Sequence, residues 1–163
     1  VRAVLGQQIT VKAASTLAAR LVAVYGTQVQ TGIEGLTHSF PAPAAILALG
    51  ENISEHLGKL GIISARANTI YQLARVLADE KNDFGFCGNP EEEMQKLQAI
   101  RGIGSWTAQY IAMRAMGWPD AFLPTDAGIK KALPDHTPKE LQVLSEAWRP
   151  WRSYATVNLW NTL

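Results

Sequence analysis

A glycine turn between two apolar helical segments constrains the fold of this chain more than any other feature. The turn is Gly102-Ile103-Gly104, and apolar residues flank it from Leu97 to Ala108. Such flanking residues pack two helices against each other and direct the turn outward. Glycine lets the backbone present its N–H groups at the surface, where they and the positive end of the next helix can hold a phosphate. A Gly-x-Gly turn alone is equally consistent with a helix C-cap followed by a tight turn.

Helical periodicity extends over most of the chain, and no alternating apolar run is bounded by turn signals. Apolar residues recur at three- and four-residue steps after Thr10, a typical N-cap residue, and the period ends at Gly26. Asn89-Pro90 combines a cap with a proline at the first helical position. The sequence therefore predicts an all-α protein with little or no sheet. Helices are predicted over residues 11–25, after Pro43, over 53–59, 64–77 (capped by Ser64), 90–100, 105–117, 138–148 and 151–162, with loops at 27–41 and 81–89.

A carboxylate, Asp126, is the second informative feature. It follows Leu123-Pro124-Thr125 at the start of another predicted helix. The commonest role of such an Asp is an N-cap, and the N–H groups and dipole of a helix start also favour the ionised carboxylate. Asp126 lies 22 residues after Gly104. This order of motifs, a hairpin that could bind DNA, then a loop with Gly and Pro, then one Asp, resembles that of the helix-hairpin-helix DNA glycosylases. Within that superfamily the chain most resembles the bacterial 3-methyladenine DNA glycosylase II (AlkA-type) enzymes.

The resemblance covers nearly the whole chain and implies the helix-hairpin-helix DNA glycosylase bundle. It implies a monofunctional glycosylase that flips an alkylated purine, of the 3-methyladenine type, out of double-stranded DNA and hydrolyses its N-glycosidic bond in base excision repair. Asp126 would then stabilise the oxocarbenium-like sugar or position the attacking water. The alternatives are a non-catalytic helix-hairpin-helix DNA-binding module and a helical protein-interaction module, neither of which needs this aspartate spacing.

The resemblance assigns two roles to the glycine turn. Backbone N–H groups around the turn would bind one DNA phosphate. Backbone carbonyls at its start would hold a monovalent cation, Na⁺ or K⁺, that bridges to this phosphate, although no cofactor is required for the reaction. The residues implied are Gly102, Ile103, Gly104, Ser105 and Thr107 for DNA binding, and Gln98, Ile100 and Gly102 for the cation.

Three aromatic residues would line the base pocket. Trp106 stands where bifunctional relatives carry a lysine that forms a Schiff base, and an indole cannot form an imine, so a hydrolytic enzyme is expected. Trp106 and Tyr110 are four residues apart and share a helix face, as a core pair or as walls that bind a cationic base. Trp160 matches a further pocket aromatic of the AlkA-type family. Trp151, on the opposite side of a helix from Trp160, is expected in the core.

Gln8 matches the position that inserts into the gap left by the flipped nucleotide. A glutamine can fill this gap and hydrogen-bond the orphaned base, although a polar residue at a helix end is the alternative interpretation. Ala127 departs from the family pattern, because some relatives place an aromatic residue directly after the catalytic aspartate. This departure removes one pocket wall and bears on the substrate range.

Composition limits the partners and cofactors. A net charge of +1 requires any DNA contact to be local. The one cysteine, Cys87, excludes an internal disulfide and the four-cysteine iron–sulfur cluster of some relatives. The spacing of His38, His56 and His136 predicts no zinc site, and no apolar run approaches the ~20 residues of a membrane span. The basic candidates for DNA contact, each otherwise a solvated surface charge, are Lys12, Arg101, Lys130 and Lys131.

The chain is expected to form one domain, residues 1–163, of a longer protein. Its length is about that of a single domain. The segment from Val1 to Leu5 reads as the middle of a helix, and AlkA-type relatives carry an upstream domain, so we expect a fragment. The resemblance also implies a monomer in the bacterial cytoplasm, associated with the nucleoid.

Overall fold

The structure is a computed structural model that describes residues 1–79 and 89–163. Cys87 and the predicted loop at 81–89, apart from Asn89, lie outside the described residues. The chain divides into two compact units. The described part of the first unit is residues 1–79 with Ile100–Ile103, and that of the second is residues 89–99 and 104–163. No helix in these parts of the chain is long and apolar enough to cross a bilayer.

The first unit is almost entirely helical in its described residues. Its elements are α1 (Arg2–Leu5), α2 (Val11–Tyr25), β1 (Thr27–Gln28), β2 (His38–Ser39), α3 (Pro43–Leu47), a 3-10 helix (Gly50–Asn52), α4 (Ile53–Gly58) and α5 (Ser64–Ala78). Helices α3 and α4 pack against α5. The side chains of Leu21, Leu57 and Ile70 are completely buried in the core that these helices share. The Thr10 side chain caps α2 by accepting a hydrogen bond from the Ala13 N–H, as predicted.

Two local features of this unit differ from the sequence-based expectation. The predicted loop at 27–41 contains a short antiparallel pair, in which β1 residue Thr27 lies opposite β2 residue Ser39. Ser64 is the first residue of α5 and not its cap, because Ile63 has the extended backbone of the N-cap (φ −63°, ψ 150°). Neither difference changes the fold class, and the expectation of an all-α fold with little sheet is confirmed.

The second unit is helical in its described residues and begins where the sequence places a strong helix start. Its elements are α6 (Pro90–Gln98), α7 (Ser105–Arg114), α8 (Ala127–Ala132), α9 (Pro138–Leu144), a 3-10 helix (Ser145–Trp148) and α10 (Arg152–Trp160). The Asn89 side chain caps α6, and Thr137 with Glu140 forms a capping box at α9. Helix α6 packs on α7, and α8 packs on α10. The predicted interruption at Pro150 falls between the 3-10 helix and α10.

The expectation that Trp151 lies in the core is wrong. Its side chain is 58% exposed and packs edge-on against Tyr154, with the ring centroids 5.7 Å apart. The prediction placed Trp151 on the helical wheel of Trp160. Trp151 is instead the N-cap of α10, with φ −114° and ψ 24°, so its direction does not follow the helical period.

A buried ion pair connects the loop before α8 to the start of α10. Both carboxylate oxygens of Asp120 accept hydrogen bonds from the Arg152 guanidinium, at 2.7 Å from Nε and 2.9 Å from Nη2. Each of the two residues is less than a tenth exposed. Arg149 also pairs with Asp120, and Arg152 also pairs with Glu146, so the buried pair belongs to a network of four charged residues. The pair therefore helps to fix the loop that leads to Asp126 against the helix that ends at Trp160.

Candidate active site

The carboxylate of Asp126 is the N-cap of α8 and accepts four hydrogen bonds. Its Oδ1 accepts from the backbone N–H groups of Gly128 at 2.9 Å and Ile129 at 3.1 Å. Oδ1 also accepts from the indole Nε1–H of Trp160 at 2.8 Å. Oδ2 accepts from the indole Nε1–H of Trp106 at 3.1 Å. The N-cap interpretation and the proposed catalytic placement of Asp126 are thus compatible, because Oδ1 accepts both cap bonds.

All four donors to Asp126 are neutral groups. Two are backbone amides at the positive end of a helix and two are indoles, and these dipoles stabilise a negative charge without cancelling it. Within residues 1–79 and 89–163, no Lys or Arg forms an ion pair with Asp126. The charge of this half-buried carboxylate is therefore available to a positive charge that develops beside it.

The three predicted pocket aromatics lie together around this carboxylate. The rings of Trp106 and Tyr110 are stacked, with centroids 5.3 Å apart and planes 15° apart. The ring of Tyr110 is 6.4 Å from that of Trp160, at a tilt of 41°. All three side chains are half-buried, so each combines contact with the protein and an accessible surface. We call Asp126, Trp106, Tyr110 and Trp160 the aspartate cluster.

Sequence reasoning missed two residues that contact the aspartate cluster. The Arg114 guanidinium lies over the Trp160 ring, 5.4 Å from its centroid, which is a cation–π distance. Its position four residues after Tyr110, on the same face of α7, is a signal that could have identified it. Gly128 lies close to the Cδ1 and Nε1 atoms of the Trp160 indole, and nothing in the sequence pattern marks that contact.

The two glycines of the hairpin turn, defined as Gly102-Ile103-Gly104, serve different purposes. Gly102 has φ +93°, and a Cβ there would collide with the Thr69 hydroxyl of α5. Gly104 has φ −91° and is the N-cap of α7, without a side-chain cap bond. A Cβ on Gly104 would meet no atom within 4 Å. Gly102 is therefore required by the fold, whereas Gly104 leaves open space in front of the first turn of α7.

The remaining residues predicted to contact a phosphate differ in exposure. Ser105 is exposed, and the side chains of Ile103 and Thr107 are buried. The buried side chains of Ile103 and Thr107 cannot meet a phosphate, and the Ile103 backbone N–H already donates to the Ile100 carbonyl oxygen at 3.0 Å. The contribution of these two residues to phosphate binding stays a prediction. The four predicted basic residues, Lys12, Arg101, Lys130 and Lys131, are all exposed. Their contact with DNA stays a prediction.

Gln8 lies in a turn that is tied to the hairpin turn by its neighbour. The Gln8 side chain is exposed, and its φ of +54° falls in the left-handed region that few residues other than glycine adopt. Gln7 Nε2 donates a hydrogen bond of 2.9 Å to the carbonyl oxygen of Gly102. The carbonyl oxygen of Gln7 accepts from the Arg66 guanidinium. The predicted wedge residue is thus exposed next to Gln7, whose side chain and carbonyl oxygen are both hydrogen-bonded. Sequence reasoning predicted neither of these two bonds.

Two of the three carbonyls predicted to hold a cation, those of Ile100 and Gly102, each accept a hydrogen bond. The Ile100 carbonyl accepts one hydrogen bond, from Ile103 N–H at 3.0 Å, and the Gly102 carbonyl accepts one from Gln7 at 2.9 Å. A carbonyl oxygen has two lone pairs, so each of these two carbonyls keeps one lone pair beyond its hydrogen bond. Binding of a cation stays a prediction. Within residues 1–79 and 89–163, no group of three or more His, Cys, Asp or Glu side chains could bind a metal.

Comparison with protein families identifies the chain's relatives. Residues 1–152 match the HhH-GPD superfamily, described as base excision DNA repair proteins. The chain belongs to this superfamily. The family predicted from the hairpin turn and Asp126 is therefore confirmed.

Individual relatives agree with the resemblance to AlkA-type members. The chain is 43% identical to the probable bifunctional transcriptional activator/DNA repair enzyme AlkA of Mycobacterium tuberculosis, over 100% of this chain and 32% of that protein. It is 36% identical to DNA-3-methyladenine glycosylase 2 of Escherichia coli, over 99% of this chain and 56% of that protein. A solved 3-methyladenine DNA-glycosylase from Archaeoglobus fulgidus matches with a TM-score of 0.81 and 25% identity, over 98% of this chain and 55% of that one. The chain thus spans 32% to 56% of the length of these relatives.

Proposed function

We propose that this chain carries the catalytic site of a monofunctional DNA glycosylase. Its substrate is an alkylated purine of the 3-methyladenine type in double-stranded DNA, and its role is in base excision repair. The observation that carries the proposal is the aspartate cluster, in which two indole N–H groups hold the Asp126 carboxylate beside stacked aromatic rings. Two of the relatives, named as 3-methyladenine glycosylases, support the same substrate class.

The aromatic rings would recognise the damaged base by its charge. An N-alkylated purine is cationic, and electron-rich ring faces attract a cation more than they attract a neutral purine. The base must leave the duplex to reach them, and base flipping is the general solution for enzymes that act on bases. Gln8, whose side chain is exposed, would fill the gap that the flipped nucleotide leaves.

Asp126 would act on the sugar. When the C1′–N bond breaks, the bonding electrons leave with the purine and neutralise its positive charge. The positive charge then lies on the oxocarbenium-like sugar, where the ionised carboxylate stabilises it electrostatically. A water oxygen bonds to C1′ and releases a proton, which leaves free base and an abasic site. Oδ2, which accepts fewer hydrogen bonds than Oδ1, is the oxygen with capacity to face C1′ or the water.

Trp106 supports hydrolysis without strand cleavage. A lyase step would need an amine that attacks C1′ and forms an imine, and the indole at this position donates its N–H to Asp126 instead. We therefore expect the product strand to remain intact until alkali or an abasic endonuclease is added.

Incubation of the protein with DNA carrying N-methylated purines tests this function. We expect chromatography to detect released methylpurines, gel electrophoresis to show unbroken strands before alkali treatment, and borohydride to trap no covalent adduct. A trapped adduct or direct nicking would overturn the monofunctional assignment. Tight DNA binding without any base release would instead favour the non-catalytic helix-hairpin-helix module.

The remaining elements of the proposal follow from the resemblance. The hairpin turn would bind one phosphate through backbone N–H groups, and a Na⁺ or K⁺ ion held by the carbonyls of Gln98, Ile100 and Gly102 would bridge to it. The cation would contribute to DNA binding and not to the chemical step. We also propose a monomer that acts in the bacterial cytoplasm, on nucleoid DNA.

A further inference from the structure

Gly128 is placed where a larger residue could not coexist with the Trp160 indole. A Cβ on Gly128 would lie 2.7 Å from Trp160 Cδ1 and 2.9 Å from Nε1. It would also lie 3.0 Å from Oδ1 of Asp126. Carbon atoms essentially do not approach neighbouring atoms this closely, so the indole, which is half-buried, would have to move away from α8.

The backbone at Gly128 does not itself require glycine. The residue lies in the first turn of α8, and its φ is not in the left-handed region. Glycine is destabilising in a helix relative to alanine, because it loses more conformational freedom on folding. Gly128 therefore weakens α8 at a position where the helix would accept alanine. The close approach of Trp160 explains why glycine is present there.

We propose that Gly128 is a positioning residue that brings the Trp160 indole into hydrogen-bond contact with the catalytic carboxylate. The inference rests on the proposed function of Asp126. Without a side chain at residue 128, the indole Nε1–H reaches Oδ1 at 2.8 Å, beside the N–H of Gly128 itself at 2.9 Å. Trp160 thereby orients Asp126 as well as forming a wall of the base pocket.

The arrangement gives the two carboxylate oxygens different roles. Oδ1 accepts from Gly128 N–H, Ile129 N–H and the Trp160 indole, which exhausts its lone pairs. Oδ2 accepts from the Trp106 indole. With Oδ1 fixed by three donors, rotation of the carboxylate is restricted and Oδ2 keeps one orientation relative to the aromatic rings. The guanidinium of Arg114 over Trp160 further restricts the indole.

Gly128→Ala is the central test. We expect single-turnover release of methylpurine to fall by about ten- to a hundredfold, the effect of losing a hydrogen bond to a charged group. Thermal stability should fall only modestly, because the better helix propensity of alanine partly offsets the displaced indole and its lost hydrogen bond. The Trp160 indole N–H resonance in a ¹⁵N-labelled sample should move upfield, as expected for loss of a carboxylate acceptor. Gly58→Ala is the matched control, because Gly58 ends α4 and a Cβ there meets no atom within 4 Å.

Trp160→Phe is the second variant, because it keeps an aromatic ring and removes the indole N–H. We expect it to reduce release by a similar factor. Wild-type release rates for Gly128→Ala or for Trp160→Phe would overturn the proposal, as would an unchanged Trp160 resonance in Gly128→Ala. If the wild-type protein released no methylpurine, the proposed function would fail, and the resonance would still decide whether Gly128 positions the indole.

Discussion

The hairpin turn and the aspartate cluster contribute to the proposed reaction in different ways. In the hairpin turn, the functional groups are backbone amides and carbonyls, and the side chains serve to shape the backbone. In the aspartate cluster, the functional groups are side chains, and the backbone of α8 supplies two of the four donors to Asp126. Substitutions in the hairpin turn should therefore act by filling space or by changing the backbone conformation. Substitutions in the aspartate cluster should act by removing a hydrogen-bond donor, an acceptor or a charge.

The contrast is sharpest between the glycines. Gly102 is required by the fold, because its φ is +93° and it lies close to Thr69. Gly104 borders open space, where a Cβ would meet no atom within 4 Å. Gly128 has an ordinary helical conformation and serves a side chain, Trp160. Glycine therefore allows a left-handed backbone at residue 102, leaves room for a phosphate at residue 104 and leaves room for an indole at residue 128. Substitutions at the three positions should have different effects.

Asp126→Asn should have the largest effect on base release. It removes the charge that stabilises the oxocarbenium-like sugar, and we expect single-turnover release to fall at least about a hundredfold. Binding to DNA that contains an abasic-site analogue should change only a few-fold. A near wild-type release rate would exclude Asp126 from the catalytic role. It would also contradict the view that side chains supply the functional groups of the aspartate cluster.

Trp106→Phe is the control that separates charge from hydrogen bonding. In Asp126→Asn the amide can still offer an oxygen to the donors at Oδ1, but its NH₂ group then faces the Trp106 indole N–H. Trp106→Phe removes that conflict and keeps the charge. We expect it to lose far less activity than Asp126→Asn, and equal losses would indicate that the hydrogen bond, and not the charge, is what matters.

Local signals allowed much of the fold to be predicted. A helix start is encoded by the residues next to it, so the caps at Thr10, Asn89 and Asp126 could be identified from the sequence and are confirmed. Trp151 was placed wrongly because a helical wheel does not apply to an N-cap. Local reasoning therefore identified these caps, but it misplaced the cap of α5 by one residue and extended a helical period to Trp151, which precedes its helix.

Contacts across the sequence could not be predicted in the same way. The bond from Gln7 to the Gly102 carbonyl joins residues 95 positions apart. The family resemblance placed Trp106 and Trp160 near Asp126, but donation of both indole N–H groups to its carboxylate depends on rotamers that packing fixes. The clash that excludes a side chain at Gly128 likewise exists only in three dimensions. Sequence thus located the participants, and packing determined how they interact.

Gly104→Asp should have the second-largest effect, on DNA affinity. The side chain enters open space, so the fold should be retained, but it places an anion where we propose that a phosphate binds. We expect affinity for abasic-site DNA to fall by about ten- to a hundredfold. Gly104→Asn is the matched control with the same shape and no charge, and its affinity should stay much closer to wild type. Equal affinities for Gly104→Asp and the wild-type protein would mean that the hairpin turn does not face DNA.

Gly102→Ala should have the smallest effect on the reaction and act on stability instead. A left-handed φ and the contact with the Thr69 hydroxyl should together lower the free energy of unfolding by about 2–6 kcal/mol. Below the unfolding transition and at saturating DNA, base release per folded molecule should be close to that of the wild-type protein, because residue 102 takes no part in the chemical step. In a Thr69→Ala background the Gly102→Ala penalty should shrink, since the colliding hydroxyl is gone, although the strain in φ persists. An unchanged unfolding temperature for Gly102→Ala would mean that the fold does not require glycine at residue 102.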